Sequence, residues 1–188
     1  MRLVLASASP RRRDLLEAAG FEVVCVPSGA DELETDSLSP DALALENAGL
    51  KARAVAALYP NDIVLAADTV VFFDGRFFGK PVDADDAFRM ISVLQGRTHE
   101  VVTGVVVIAP GRGPEVFSES SRVTFRPLTD SGVAAYLVSI HPYDKAGAYA
   151  AQDDDGRLIA SIDGSRTNVI GLPMEKVCAC LDRLRPSA

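Results

Sequence analysis

The chain has 188 residues, of which 48% are hydrophobic and 24% are charged, and these values most simply fit one globular domain over residues 1–188. A net charge of −7 argues against a nucleic-acid partner but leaves room for a local basic pocket. Three cysteines make no disulfide framework, and no apolar run has membrane-spanning length. The first residues suggest a strand rather than a signal peptide. We therefore expect a cytoplasmic protein without a membrane partner.

The first half of the chain alternates predicted strands and helices. A short apolar strand leads into a helix that begins after Ser9, a suitable N-cap, and stops at Gly20. Asp74 and Gly75 predict a hairpin turn. Strands are predicted at 2–7, 21–29 and 62–73, and further helices at 40–59 and 83–96.

The second half continues in the same manner. Strands are predicted at 99–110, 115–128 and 157–165, helices at 129–140 and 173–184, and a polar loop at 141–156. Because helices and strands are interspersed along the whole chain, we expect an α/β fold built around a mixed sheet.

Three consecutive arginines, Arg11 to Arg13, occupy the first turn of the first helix. The helix dipole disfavours cations at this end by about 0.3–1 kcal/mol each. An anionic ligand would resolve the conflict, because backbone amides at a helix start and arginine side chains both bind phosphate. The alternative is a solvated surface run, which the arginines alone favour.

Asp68 interrupts an apolar strand and needs a partner. An unpaired carboxylate in such a strand costs several kcal/mol or must change its protonation. A bound metal would satisfy it, and so would a structural ion pair with Lys51 or Lys80. With two histidines and no paired Cys/His spacing, any metal would be a hard cation on carboxylates.

Seven blocks in series resemble the Maf family of nucleoside triphosphate pyrophosphatases, historically described as septum formation inhibitors. They are "LASASPRRRDLL", "KARA", "AADTVV", "GKP", "GRTHEVVTGV", "YDKAGAYAAQ" and "GSRTNVIGLP". The resemblance implies an elongated mixed sheet flanked by helices, two lobes with a cleft between them, and a relationship to the inosine triphosphatase architecture. It also implies cleavage of a nucleoside triphosphate to the monophosphate and pyrophosphate with Mg²⁺ or Mn²⁺, in a protein that is often a homodimer.

The resemblance also assigns roles to individual residues. Asp68 matches the catalytic carboxylate, which holds the metal or activates water, and Glu32 matches a second metal-binding position. The positions that match the triphosphate-binding set are Ser7, Ser9, Arg12, Lys51 and Lys80.

Three further positions distinguish branches of the family. Arg11, Thr69 and Gln152 resemble the branch that acts on dTTP and UTP, and an amide suits the N3–H and O4 of uracil or thymine. The alternatives are the 7-methyl-GTP branch and a nucleotide-binding regulator of septation without turnover. Members of the pyrimidine branch usually have Gly after the Gln, whereas this chain has three aspartates at 153–155, which we expect to point to solvent.

Overall fold

The computed structural model describes residues 2–184 as one seven-stranded mixed sheet covered by helices. The strands are β1 (Leu3–Leu5), β2 (Val23–Cys25), β3 (Ile63–Phe73), β4 (Arg76–Phe78), β5 (Thr98–Ile108), β6 (Glu115–Phe125) and β7 (Ile159–Asp163). The helices are α1 (Pro10–Ala18), α2 (Pro40–Ala56), α3 (Ala84–Leu94), α4 (Asp130–Ser139), α5 (Arg166–Ile170) and α6 (Met174–Leu184). Within this range no helix has the length and apolarity that a membrane crossing requires.

The sheet has the strand order β2-β1-β3-β5-β6-β7, with β4 as a second partner of β3. One edge of β3 pairs with β1 over 63–65 and with β4 over 71–73. The other edge pairs continuously with β5 from Val64 to Phe72. The residues of β3 between the two short partners, 66–70, therefore border a gap in the sheet. The chain leaves β1 and β4 at this gap.

Alternation along the long strands sorts their side chains to two faces. Leu65, Ala67 and Val105 pack with α1 and α6, whereas Val64, Ala66 and Val106 pack against α2. The same period sends Asp68 toward α2 and Thr69 toward α1 and α5, as their contacts confirm. Two adjacent residues of one strand thus serve opposite faces at the gap.

A separate apolar cluster forms the other end of the molecule, where α3 and α4 pack on the far halves of β3, β5 and β6. Its largest fully buried members include Ile91, Leu94, Phe125 and Leu158. The last helix, α6, buries one apolar face made of Met174, Val177, Leu181 and Leu184.

Several predicted elements differ from the structure, most at their ends. The second strand is only Val23–Cys25, because its partner β1 offers three residues for pairing. The strand predicted to 128 ends at Phe125, two residues before Pro127, which cannot donate to a ladder. The predicted loop 141–156 contains two 3₁₀ turns, and the short helix α5 was not predicted.

Candidate active site

A cleft of about 940 Å³ opens at the gap in the sheet. Its walls come from the loop after β1 with the start of α1, the loop before α2, the middle of β3, the segment after β4 and the turns at 142–152. All ten residues that the sequence singles out line it: Ser7, Ser9, Arg11, Arg12, Glu32, Lys51, Asp68, Thr69, Lys80 and Gln152. The structure thus brings together positions that are spread over most of the chain.

Lys51 holds two carboxylates at one wall of the cleft. Its Nζ lies 2.6 Å from Asp68 Oδ1 and 2.9 Å from Glu32 Oε1. Lys51 and Asp68 are buried, whereas the Glu32 side chain is 43% exposed. Burial raises the pKa of Glu32, but the hydrogen bond and the charge of Lys51 outweigh it and lower that pKa overall. Asp68 therefore pairs with Lys51, one of the partners that the sequence left open, and still lines the cleft.

Asn47 is a site residue that the sequence analysis missed. Its Nδ2 donates to Asp68 Oδ2 at 3.3 Å and to the carbonyl of Leu33 at 3.2 Å, while its Oδ1 accepts from the Leu33 amide at 2.7 Å. Asn47 precedes Lys51 by one helical turn of α2, so both side chains face β3. It ties the Glu32 loop to the carboxylate of Asp68, and the four-residue spacing was the available signal.

Arg12 lies on the opposite face of the sheet, buried under the start of α1. Its Nε donates to the carbonyl of Gly171 at 2.8 Å, Nη1 to Ser7 Oγ at 3.2 Å and Nη2 to Thr69 Oγ1 at 3.1 Å. Burial lowers the pKa of Arg12. Three of the five guanidinium N–H groups are used, so one remains on each terminal nitrogen for a bidentate contact with an anion.

Ser7 is arranged as a hydrogen-bond donor toward the cleft. Its Oγ accepts from the Ser9 amide at 3.1 Å and from Arg12, which occupies both lone pairs. Its own proton has no acceptor within residues 2–184. Ser9 occupies the N-cap position of α1 with an extended backbone, but its hydroxyl makes no capping hydrogen bond. The expected side-chain cap is therefore absent, and the first-turn amides of α1 are left for a ligand.

The arginine run divides instead of forming one anion-binding cluster. Arg11 donates to Asp144 Oδ2 at 2.6 Å and to the Asp144 carbonyl at 3.2 Å, across the mouth of the cleft. Arg13 is exposed and pairs with Asp14 at 2.9 Å, away from the cleft. Partial burial raises the pKa of Asp144, yet hydrogen bonds from Lys145 and Arg11 prevail and lower it to about 2. Asp144 thus links Arg11 to Lys145, a buried cation of the same wall.

The two remaining predicted polar residues lie at the rim. Lys80 is exposed and its ammonium has no ion pair in the described part of the chain. Gln152 is exposed and donates through Nε2 to Asp153 at 2.9 Å. The neighbouring aspartates are not all solvated as expected, because Asp154 accepts from the amides at 156, 158 and 159. Asp155 pairs with Arg157 outside the cleft.

One part of the cleft lining is apolar and belongs to the cluster at the α3 and α4 end of the molecule. It consists of Val71, Phe78, Met90, Val101 and Tyr149. The Tyr149 hydroxyl forms a hydrogen bond with Nε2 of His99 at 3.0 Å. Burial lowers the pKa of His99 to about 4. His99 supports this wall without lining the cleft.

The carboxylates present suit a divalent hard cation only together with a ligand. No group of three or more His, Cys, Asp or Glu side chains within residues 2–184 could hold a metal ion by itself. Asp68 and Glu32 share one Lys51 ammonium, so their oxygens lie close to a common point. One or two carboxylates plus substrate phosphates are the usual environment of Mg²⁺, and this pair fits that pattern.

Two solved structures share the fold at low sequence identity. The Staphylococcus aureus Ham1 protein aligns with a TM-score of 0.54 at 16% identity, over 98% of this chain and all of that one. A Coxiella burnetii HAM1 protein gives 0.53 at 16% identity, over 97% of this chain and 99% of that one. These likenesses show the fold alone, and they confirm the expected architecture.

Sequence relatives are much closer. A protein of Moorella thermoacetica named dTTP/UTP pyrophosphatase is 48% identical over 94% of this chain and 91% of its own length. A protein of Koribacter versatilis with the same name is 44% identical over 97% of this chain and 94% of its own length. A family model described as "Maf-like protein" matches residues 2–184. With this match and the ten cleft residues in place, the chain belongs to the Maf family.

Proposed function

We propose that this protein hydrolyses nucleoside triphosphates, dTTP and UTP above all, to the monophosphate and pyrophosphate in a single Maf-like domain over residues 1–188. The relatives named dTTP/UTP pyrophosphatase support this activity. The end residues 1 and 185–188 lie outside the described part of the chain. Removal of unwanted nucleotides from the cellular pool is the role that this reaction suits.

One observation carries the proposal, namely that Arg12 is buried with neutral partners only. It contacts a carbonyl and two hydroxyls, and it forms no ion pair within residues 2–184. The charges of Asp68 and Glu32 act on Arg12 only from a distance, and a buried charge without a contacting counter-charge costs several kcal/mol in effective terms. An anionic ligand in the cleft offsets this cost, and a triphosphate brings several charges to Arg12, Lys51 and Lys80.

The residues divide the chemistry between them. Ser7 and Arg12 donate to phosphate oxygens, and Lys51 and Lys80 balance the charge that builds up on the departing pyrophosphate. Phosphoryl transfer depends mainly on such positioning and electrostatic stabilisation. Asp68 has lone pairs beyond those that face Lys51 and Asn47, so it can orient an attacking water and accept its proton.

A divalent cation, Mg²⁺ or Mn²⁺, belongs to the proposal. Asp68 and Glu32 would hold it, with phosphate oxygens as further ligands. When bound, such an ion stabilises phosphate charge and makes water a better nucleophile. Lys51 contacts both carboxylates and keeps them together before the ligand arrives.

Base selection is assigned to the apolar part of the cleft lining and to the cleft rim. Gln152 lies at the rim with Nε2 engaged by Asp153, which leaves Oε1 to accept a donor such as N3–H of uracil or thymine. Arg11 and Thr69 complete the set that the resemblance assigns to the pyrimidine branch. A free carboxylate would suit the N1–H and N2–H₂ donors of guanine, but Asp153 accepts from Gln152, so the amide is assigned as the discriminating group.

The experiment is pyrophosphate release from dTTP, UTP, CTP, GTP and 7-methyl-GTP with Mg²⁺ and with Mn²⁺. We expect turnover of dTTP and UTP in the intact protein and a loss of at least about 100-fold in Asp68→Asn, since removal of an acid–base group typically costs that much. Asp62→Asn is the matched control, because Asp62 pairs with Arg2 outside the cleft.

The alternatives give different results in the same experiment. Preference for 7-methyl-GTP would identify the other branch and overturn the assignment of Arg11, Thr69 and Gln152. Nucleotide binding without pyrophosphate release would favour a non-catalytic regulator of septation. A cytoplasmic location, a homodimeric state and the absence of nucleic-acid binding complete the proposal, and light scattering with a DNA-retention assay tests the last two.

A further inference from the structure

A chain of three hydrogen bonds runs from Arg12 away from the cleft into the protein interior. Arg12 Nη2 meets Thr69 Oγ1 at 3.1 Å, and Thr69 Oγ1 meets Thr103 Oγ1 at 2.9 Å. Thr103 Oγ1 meets the backbone carbonyl of Asn168 at 3.2 Å. Thr103 is completely buried and does not line the cleft, so it has no contact with a ligand there.

The direction of each proton in this chain follows from its two ends. The carbonyl of Asn168 only accepts, so Thr103 donates its single hydroxyl proton to it. Thr69 must then donate to Thr103, and its lone pair accepts from Arg12, which can only donate. Thr69 consequently has no proton left for a ligand, and its hydroxyl is fixed toward the guanidinium.

The inner end of the chain is firmly held. The Asn168 side chain donates through Nδ2 to the carbonyl of Val101 at 3.0 Å and to Ser121 Oγ at 2.9 Å. Asn168 is buried, and the nearby carbonyl of Gly171 accepts from Nε of Arg12. Two points of the segment 168–171 therefore fix the plane of the guanidinium, one directly and one through the two threonines.

We propose that Thr103 is a positioning residue for anion binding: through Thr69 it orients Arg12 so that the two remaining guanidinium N–H groups face the cleft. This inference rests on the proposed function in one respect, that Arg12 binds a phosphate chain. It goes beyond that function because Thr103 touches no ligand. The competing view is that Thr103 is a buried hydroxyl with a satisfied hydrogen bond and no link to binding.

Binding of inorganic tripolyphosphate, followed by calorimetry, tests the inference without any need for turnover. In Thr103→Val, which keeps the shape and removes the hydroxyl, we expect about tenfold weaker binding, as for coupled neighbouring residues. Thr103→Ser keeps the hydroxyl and should bind within about twofold of the intact protein. If the Thr103→Val variant does not fold, Thr103→Ala replaces it, and its binding is compared with that of Thr103→Ser.

A matched control lies on the same strand. Thr98 Oγ1 forms a similar hydroxyl pair with Thr124 at 2.8 Å, outside the cleft, so Thr98→Val should leave tripolyphosphate binding unchanged. A double-mutant cycle with Arg12→Ala adds the decisive readout. If Thr103 acts through Arg12, Thr103→Val has no further effect once Arg12 is absent.

Each contrary result overturns the inference. Full binding by Thr103→Val, equal loss in Thr103→Ser, or an undiminished effect in the Arg12→Ala background would show that the hydroxyl does not orient Arg12. No tripolyphosphate binding by the intact protein would remove its premise. If the expected pattern holds but no nucleotide is hydrolysed, the proposed function fails and the positioning role of Thr103 stands.

Discussion

Gly104 offers the most direct test of how the site is held together. It lies on β5 directly opposite Asp68 on β3, on the face covered by α2. A Cβ at this position would stand 2.5 Å from the carbonyl carbon of Ala44 and 2.6 Å from the amide nitrogen of Leu45. Both atoms belong to the backbone of α2, so no side-chain rotation relieves the clash.

The size of the effect follows from these distances. Ordinary contact with a Cβ begins at 3.4 Å, so α2 has to move by about 0.9 Å in Gly104→Ala, and well-packed interiors absorb little of such a shift. Overpacking of this kind costs roughly 1–3 kcal/mol of unfolding free energy. The same movement takes Lys51 Nζ away from its 2.6 Å contact with Asp68. A misplacement of about 1 Å in a catalytic site can lower kcat by roughly 100-fold.

Two assays and one control measure this prediction. Urea unfolding gives the stability, and pyrophosphate release from dTTP gives kcat. Gly49→Ala is the control on the same helix, because its Cβ would meet only the flexible end of the Arg53 side chain, at 2.9 Å. Since Ala is favoured over Gly inside a helix by up to about 1 kcal/mol, this variant should be at least as stable as the intact protein and fully active.

Two results would refute the reasoning. Unchanged stability in Gly104→Ala would mean that α2 is not pressed against β5 as the distances indicate. Lower stability with an unchanged kcat would mean that the position of α2 does not govern the contact between Lys51 and Asp68.

Two further predictions concern pH and the arginine run. Because burial lowers the pKa of His99 from 6.5 to about 4, its contribution to stability is complete above pH 6.5 and is lost as the pH falls toward 4. The loss of unfolding free energy approaches about 1.4 kcal/mol per pH unit. In His99→Gln, the unfolding free energy measured with urea should therefore fall less steeply with decreasing pH between 6.5 and 4. The same pH dependence in the variant and the intact protein would refute this prediction. Arg11→Ala should raise the KM for dTTP by about tenfold, because a charged contact is lost. Arg13→Ala is the control and should leave the KM unchanged, because the Arg13 side chain pairs with Asp14 outside the cleft. Equal effects of the two substitutions would contradict the different roles given to the two arginines.

The sequence was most informative where a residue conflicts with its surroundings. Asp68 in an apolar strand and arginines at a helix start are both unfavourable in isolation, and both residue types line the cleft. The sequence left a metal, Lys51 and Lys80 open as partners of Asp68, and the two lysines carry the same charge. Only the docking of α2 on β3 decides between them.

The parts that could not be predicted depend on tertiary pairing. Asn47 is an ordinary polar residue in a helix until α2 places it against Asp68 and the Glu32 loop. Helix α5 has five residues, too few for a hydrophobic period, and it is stabilised by Ser165 accepting from the Asn168 amide. Thr103 has no local feature that marks it, because its role depends on being opposite Thr69 across two strands.

The gap in the pairing of β3 explains how two opposite charges coexist in one small cleft. If Arg12 lay on the same face as Asp68, the two side chains would pair and neutralise each other. Strand alternation instead places Asp68 against Lys51 on the α2 face and Thr69 against Arg12 on the other. Lys51 balances the carboxylates, and no carboxylate contacts Arg12, whose acceptors are a carbonyl and two hydroxyls. The two faces meet where residues 66–70 lack a partner on one edge, so under the proposed function a phosphate chain that enters there would reach the guanidinium and the carboxylates together.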